Sequence, residues 1–142
     1  MTRRPPVPEP PSLLLTSGLA ELAAGALSGW VYTLVRTQPD QARRLGIVSG
    51  PRIRQWHLDL AMLGTATVAC AHAVPDAPRP VAAALGVGAW TNAMAFLPLA
   101  FKPDLDQRLA FKAAAAASFT ATSVGFTGMA ATAITRRRRR GR

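Results

Sequence analysis

Residues 81–101, VAAALGVGAWTNAMAFLPLAF, form a run of 21 residues without a charged side chain. As a helix this segment would rise roughly 30 Å, which is the thickness of the hydrocarbon core of a bilayer. Three other segments, 13–35, 56–74 and 109–134, are also apolar and long enough for the same role. Because lipid forces such segments into helices and short loops make them antiparallel neighbours, the pattern predicts an all-α fold. We expect residues 13–134 to form a four-transmembrane-helix up-down bundle with short loops.

The segments outside these helices are polar. Residues 1–12 are rich in proline and predict a disordered tail, and residues 135–142, TRRRRRGR, predict an Arg-rich cytoplasmic tail. The two sides of the predicted bundle carry similar numbers of Lys and Arg, so the positive-inside rule leaves both orientations open; arginine directly after the last span favours cytoplasmic termini. The expected location is the inner (cytoplasmic) membrane, with multiple passes. A cleaved signal peptide is the alternative for the first segment, although Glu21 interrupts its apolar core.

The net charge of +10 indicates a basic protein. In a soluble chain this charge would favour a nucleic-acid partner, but here Lys and Arg flank apolar segments, where they contact lipid headgroups. The lipid bilayer is therefore the expected partner, and nucleic acid is not. The single cysteine, Cys70, excludes an internal disulfide and a Cys-rich metal site.

Ionisable residues inside membrane spans are rare, so each one is a candidate for function. Glu21 lies about 12 Å into the first predicted helix and Asn92 at a similar depth in the third, so the two side chains are expected to meet near the middle of the membrane. That contact would be a hydrogen bond that fixes packing, or part of a site in which Glu21 is a proton donor. His72 is interpreted as an interfacial histidine, too far along the helix from His57 to share a metal with it.

His57 is predicted to lie one residue into the second helix, with its imidazole facing the bundle near one membrane surface. Gly64 is seven residues later and therefore on the same face, two turns deeper, where the missing side chain leaves room for a flat or large group. Asp59 points roughly 200° away from His57 at 100° per residue, so direct contact between the two is not expected.

Two further features bear on helix packing. GALSG at residues 25–29 is a GxxxG pattern, which permits close contact between helices of one chain or of two chains. Pro98 removes a backbone donor inside the third helix and frees the carbonyl of Met94, so it either kinks the helix just past Asn92 or is a tolerated proline in a membrane helix.

RQWHLDLAMLG (54–64) followed by GAWTNAMAF (88–96) resembles a pair of signatures in the small membrane isomerases, the family of styrene oxide isomerase and hydroxylaminobenzene mutase. Proteins of that family have four membrane helices, a His at the start of the second with a Gly seven residues later, and a Trp-x-Asn in the third. The matching residues in this chain are His57, Gly64, Trp90 and Asn92. The resemblance covers residues 13–134.

The resemblance implies an integral membrane, haem-dependent isomerase that rearranges a small apolar substrate of the aryl epoxide or aryl hydroxylamine type without net redox change. It implies haem b at the subunit interface of a homo-oligomer, a trimer, with His57 as the axial ligand of the iron. Gly64 would adjoin the cofactor, and Arg52 and Arg54 would pair with its propionates, the alternative for the two arginines being contact with lipid or solvent.

The resemblance also supplies candidates for catalysis: Asn92 to position the substrate and Trp90 as a wall of the pocket. Glu21, the ionisable residue in the first predicted helix, is a further candidate, as a proton donor or as a support for the residues that contact the substrate. Two positions depart from the family. Leu63 stands where the family has an Asn before the Gly, and Phe96 stands where the epoxide isomerase has a Tyr one turn beyond the Trp-x-Asn. Both departures remove polar groups that would orient an oxygen-containing substrate near the iron. The resemblance therefore supports haem binding more strongly than it supports the opening of an epoxide. The alternative is a non-catalytic haem-binding or structural membrane protein.

Overall fold

The computed structural model describes residues 10–141, and the predicted disordered tail, residues 1–12, lies mostly outside them. The described part of the chain contains helices and no strand. In chain order the helices are α1 (Leu13–Thr37), α2 (Pro39–Arg44), α3 (Gly50–Ala73), α4 (Arg79–Met94), α5 (Phe96–Phe101) and α6 (Leu109–Arg140), with a 3₁₀ helix (Pro103–Gln107) before α6. The predicted all-α class is confirmed.

Three stretches of helix are long and apolar enough to cross a membrane: Leu13–Thr37, Arg79–Phe101, which joins α4 and α5, and Leu109–Arg140. They correspond to three of the four predicted spans. Helix α3 has a comparable length but is not among them, and four charged or ionisable side chains lie in its first ten residues. That α3 also crosses the membrane stays a prediction.

Helices α1 and α3 pack against each other through glycine. A Cβ on Gly25 would lie 3.0 Å from the backbone nitrogen of Ala61, and a Cβ on Gly64 would lie 2.8 Å from the backbone nitrogen of Leu22. These distances leave no space for a side chain at either position. Gly25 is the first glycine of the GxxxG pattern, so this pattern serves contact within the chain. Without side chains at these positions the two backbones approach each other closely, as is typical of helix pairs joined by small residues.

Helices α4 and α6 form a second glycine-based pair. A Cβ on Gly88 would lie 2.8 Å from Cα of Thr122, and a Cβ on Gly125 would lie 2.5 Å from Cα of Leu85. Helix α3 also contacts α4, which joins the α1–α3 pair to the α4–α6 pair. The four long helices thus pack in two tight pairs with a looser seam between them.

The helix that contains Pro98 is interrupted. Helix α4 ends at Met94, Ala95 separates the two segments, and α5 begins at Phe96. The interruption lies three residues before Pro98, where the proline ring removes the donor for the helical hydrogen bond to Met94. The helix is thus interrupted just past Asn92, the position at which the proline is one possible cause of a kink; a bend of the helix axis there stays a prediction.

The connection between α1 and α3 is folded against the end of α5. The backbone N–H groups of Val48 and Ser49 both donate to the carbonyl oxygen of Ala100, at 2.9 and 3.0 Å. Ile47 and Ile53 are buried in the same cluster. This connection is therefore a packed cap over one end of the bundle.

Helix α3 begins at Gly50, six residues before the predicted start of the second span. Pro51 lies in its first turn, where the fixed φ and the missing N–H suit a helix start. Ile53 is fully buried and anchors this turn. His57 is therefore seven residues past the first residue of the helix, roughly 10 Å along its axis. The prediction that His57 lies one residue into its helix was wrong.

Helix α6 continues to Arg140, beyond the predicted end of the last span at residue 134. Within this extension Arg136 forms an ion pair with Asp76, which lies in the connection between α3 and α4. Most of the Arg-rich segment is therefore helical, and it lies on the same side of the bundle as that connection.

Candidate functional site

The His57 imidazole is held by the face of α1 that carries the GxxxG pattern. Its Nδ1 lies 2.9 Å from the carbonyl oxygen of Gly25 and 3.0 Å from Oγ of Ser28. The Ser28 hydroxyl donates to the same carbonyl at 2.7 Å. Because a carbonyl only accepts, Nδ1 carries the proton, and in the neutral imidazole the lone pair is then on Nε2.

Two further residues of α1 complete the surroundings of the ring. A Cβ on Gly29 would lie 3.3 Å from Cε1 of His57, so glycine gives the half-buried imidazole room. The Tyr32 ring stacks on the imidazole, with a centroid distance of 5.7 Å and an interplanar angle of 21°. Nε2 makes no hydrogen bond to any residue between 10 and 141. The arrangement fixes one tautomer and leaves the lone pair of Nε2 without a hydrogen-bond partner among the described residues.

An open groove of about 670 Å³ lies between α1 and α3 next to this histidine. We call it the Arg54 groove, and its polar lining residues are Tyr32, Arg36, Arg54, Gln55 and Asp59. Tyr32 both stacks on the imidazole and lines the groove, so it separates His57 from the open space. The guanidinium of Arg36 lies 5.9 Å from the centroid of the Tyr32 ring. The groove thus presents two cations and one carboxylate on the other side of Tyr32 from the imidazole.

A smaller cavity of about 190 Å³ lies between α3, the α4–α5 break and α6. We call it the Asn92 cavity, and its lining includes Arg52, Asn92, Asp106 and Ser118 with the rings of Phe96, Phe111 and Phe119. It is slightly larger than apolar cavities of about 150 Å³ that admit benzene in other proteins. An amide and a hydroxyl beside three aromatic rings suit a small aryl molecule with one polar group.

The ion pair at the mouth of this cavity is weak. Nη2 of Arg52 lies 3.7 Å from Oδ2 of Asp106, and the two side chains are 35% and 39% exposed. The Arg52 guanidinium also lies 5.8 Å from the centroid of the Phe96 ring. At this distance and exposure the pair orients Arg52 more than it stabilises the fold.

We expect a double-mutant cycle with Arg52→Gln and Asp106→Asn to give a coupling energy below about 1 kcal/mol, as is usual for partly exposed pairs. The measurement is the free energy of unfolding in detergent for the four proteins. The more exposed pair of Arg108 and Asp104 is the control and should show a smaller coupling. A coupling well above 2 kcal/mol would show that Arg52 is desolvated and tightly held.

Trp90 and Glu21 lie elsewhere: Trp90 lies between α1 and α4, whereas Glu21 lies on α1 between Gly18 and Gly25, which both pack against α3. Nε1 of Trp90 donates to Oγ of Ser17 at 3.1 Å. Glu21 is fully buried, and neither of its carboxyl oxygens has a hydrogen-bond partner among the described residues; the same holds for the hydroxyl of Thr67. Because Asn92 faces the cavity on the α6 side, no Glu21–Asn92 hydrogen bond forms within the described chain.

The predicted site residues are thus distributed over several places in one chain. Arg52 and Asn92 share the Asn92 cavity, whereas Arg54 lies in the groove beside His57. The space next to Gly64 is occupied by the α1 backbone at Leu22. The sequence analysis missed Ser28 and Tyr32, although both lie on the Gly25 face of α1, at i+3 and i+7, which the helical repeat could have revealed.

No group of three His, Cys, Asp or Glu side chains that could hold a metal ion occurs in the part of the chain that the structure describes. A protein-ligated site of the zinc or di-iron kind is therefore not seen there. A haem iron needs only one axial side chain, so His57 as an iron ligand stays a prediction. Comparisons with protein-family models, curated proteins and solved structures found no match for this chain.

Proposed function

We propose that this chain is an integral membrane protein that binds haem b through His57 and isomerises a small apolar substrate of the aryl epoxide or aryl hydroxylamine type. The observation that supports this most is the state of the His57 ring. Nδ1 donates to the Gly25 carbonyl, and the lone pair on Nε2 is free within the described chain. Histidines that bind metals commonly donate their other ring N–H to a backbone carbonyl in this way.

The proposal includes α3 as a fourth span, in an inner membrane with both termini cytoplasmic. The two arginines of α3 lie in its first turns, where long side chains reach the headgroups. Nδ1 of the His57 ring is satisfied by α1 rather than by water. From Leu60 onward the helix has no charged residue up to its end at Ala73, apart from His72 in the last turn.

The residues around His57 fit haem b on two counts. The imidazole presents the tautomer that ligates iron, and the adjacent Arg54 groove is lined by Arg36 and Arg54, which would pair with propionates. Arg52 fits this role less well, because it faces Asp106 in the Asn92 cavity. The bound iron would supply a Lewis acid for the oxygen of the substrate.

The catalytic candidates need a second copy of the chain to reach this group. Asn92 lines a cavity on the side of α3 that is opposite the Gly25 face of α1. Trp90 forms a hydrogen bond with Ser17 between α1 and α4. A homo-oligomer, a trimer by the resemblance, would bring the Asn92 cavity of one chain to the His57 face of the next. There the Asn92 amide would orient the substrate oxygen and the phenylalanine rings would exclude water.

A non-catalytic haem-binding or structural membrane protein is the second candidate. It is favoured by the separation of Asn92, Trp90 and Glu21 from His57 within one chain. It is also favoured by Gly64, whose face is packed against Leu22 instead of bordering open space. In this case the His57 hydrogen bonds would serve the α1–α3 contact.

Turnover separates the two candidates. We expect haem-loaded protein in detergent to rearrange an aryl epoxide or an aryl hydroxylamine, and His57→Ala to lower the rate about 100-fold or more, because a metal Lewis acid contributes several kcal/mol. His72→Ala is the matched control, since this exposed histidine lies at the other end of α3. Asn92→Ala should lower the rate while haem binding is retained. No turnover of either substrate by the haem-loaded protein would reject the enzymatic proposal in favour of the second candidate.

A further inference from the structure

A third depression runs down the molecule between α1 and α4, far from the His57 face. We call it the Arg79 groove; its volume is about 780 Å³, and its lining includes Leu14, Ser17, Val74, Arg79, Ala83 and Trp90. One end lies at the start of α1, the end of α3 and the start of α4, which meet on one side of the bundle. The groove therefore opens at the surface from which these helices enter the bilayer.

The depth of the groove matches one leaflet. Arg79, the first residue of α4, lines the mouth and is exposed, and Trp90 lines the inner end. Trp90 follows eleven residues later, which places it roughly 16 Å deeper along the helix. Half of the hydrocarbon core of a bilayer is about 15 Å thick. A chain lying in the groove would thus reach the middle of the membrane.

The inner part of the groove is apolar. Its walls below Arg79 are mostly alanine, valine and leucine side chains with Gly86 between them. At the inner end the Trp90 indole N–H already donates to the Ser17 hydroxyl at 3.1 Å. That donor is therefore satisfied and does not call for a polar ligand. These properties suit a hydrocarbon chain better than a small polar molecule.

The mouth of the groove is positively charged. The Arg79 guanidinium forms no ion pair with any residue in 10–141. Asp76, the acidic residue in the adjoining connection, is paired with Arg136. Helix α6 continues past Arg136 through four more arginines on the same side of the bundle. An anion at the mouth would meet this unpaired charge at the depth of the lipid headgroups.

We propose that the Arg79 groove binds one anionic phospholipid, with an acyl chain along α4 and the phosphate at Arg79. The charge at the mouth selects the headgroup, and the length and apolarity of the groove select the chain. This site does not depend on haem or on His57, so it stands or falls separately from the proposed function.

The test measures lipid retained by the purified full-length chain in native mass spectrometry. The probes are dioleoyl-phosphatidylglycerol, dioleoyl-phosphatidylcholine and glycerol 1-phosphate, each added at the same concentration. We expect one phosphatidylglycerol per chain and at least tenfold less phosphatidylcholine. Arg79→Gln should reduce retention of phosphatidylglycerol about tenfold, and Ala83→Trp, which fills the groove from an exposed position, should abolish it. Arg108→Gln on the opposite side and Ala116→Trp on α6 are matched controls and should retain the lipid.

Several outcomes would overturn the proposal. Equal retention of phosphatidylcholine would show that the charge does not select the headgroup. Unchanged retention in Arg79→Gln or in Ala83→Trp would place the lipid outside the groove. Equal binding of glycerol 1-phosphate would indicate an anion site without an acyl chain. A change of oligomeric state in Ala83→Trp without loss of lipid would assign the groove to contact between copies of the chain.

Discussion

Replacing Gly88 by alanine is expected to destabilise the protein by about 2–3 kcal/mol, whereas Gly86→Ala should leave its stability unchanged or raise it slightly. A Cβ on Gly88 would lie 2.8 Å from Cα of Thr122, so α4 and α6 would have to move apart. A Cβ on Gly86 would lie 3.5 Å from Cδ1 of Leu14, which is ordinary contact. Alanine also has the higher helix propensity, by up to about 1 kcal/mol, at both positions.

The measurement is the free energy of unfolding in mixed detergent, followed by far-ultraviolet circular dichroism. The two variants have the same chemical change, lie two residues apart in one helix and differ in what the new methyl group meets. Equal stability of Gly88→Ala and Gly86→Ala would contradict the tight α4–α6 packing described above.

Replacing Glu21 by leucine is expected to stabilise the protein by about 1–3 kcal/mol. Glu21 is fully buried, and both of its oxygens lack a hydrogen-bond partner within residues 10–141. A buried polar group without a partner costs about this amount, and leucine fills a similar volume without it. If Glu21 is the proton donor of the proposed reaction, the same variant should lose turnover while it gains stability, as is common when a site residue is removed.

Glu21→Gln serves as the control, because it keeps the size and the polar atoms of the side chain. It should not raise the free energy of unfolding. A loss of stability in Glu21→Leu, measured by the same unfolding assay, would mean that the carboxyl group has a hydrogen-bond partner and a structural role.

Much of the fold could be predicted from hydrophobic segment lengths. The run 81–101 and the segment that starts at 109 have the length and composition of membrane helices, and both form helices long and apolar enough to cross a membrane. Pro98 also indicated where this helix could be disturbed, and the helix is interrupted at Ala95. The start of α3 could not be found from the lengths of apolar segments. Residues 51–55, PRIRQ, combine a proline that favours a helix start with charged residues, which a hydropathy pattern assigns to a loop. Ile53, which is buried against the capping segment, decides that boundary through tertiary contact.

The candidate site was predictable in its residue types but not in its arrangement. Depth along a helix suggested that Glu21 and Asn92 would meet, but depth does not determine which neighbour a side chain faces. Asn92 faces the cavity toward α6 because Gly88, one turn earlier, brings α6 against the same side of α4. Gly64 was expected to leave room for a ligand, but a glycine in a membrane helix also permits a neighbouring backbone to approach, as the α1 backbone does at Leu22.

The same ambiguity applies to the GxxxG pattern, which was compatible with contact inside one chain or between two. In the structure the pattern lies on the face of α1 that packs against α3, so it makes a contact within one chain. Besides this packing role, the pattern also orients His57. Gly25 supplies the carbonyl that orients the imidazole, and Gly29 provides space for the ring. Packing and ring orientation therefore depend on the same short segment.

The most direct test of the account is a haem titration of the purified protein, followed by its visible absorption spectrum. The account predicts that the wild-type chain and His72→Ala take up haem with a histidine-ligated Soret band, and that His57→Ala loses this band while its far-ultraviolet circular dichroism is unchanged. An identical Soret band in His57→Ala, or no haem uptake by the folded wild-type protein, would contradict the assignment of Nε2 of His57 as the iron ligand.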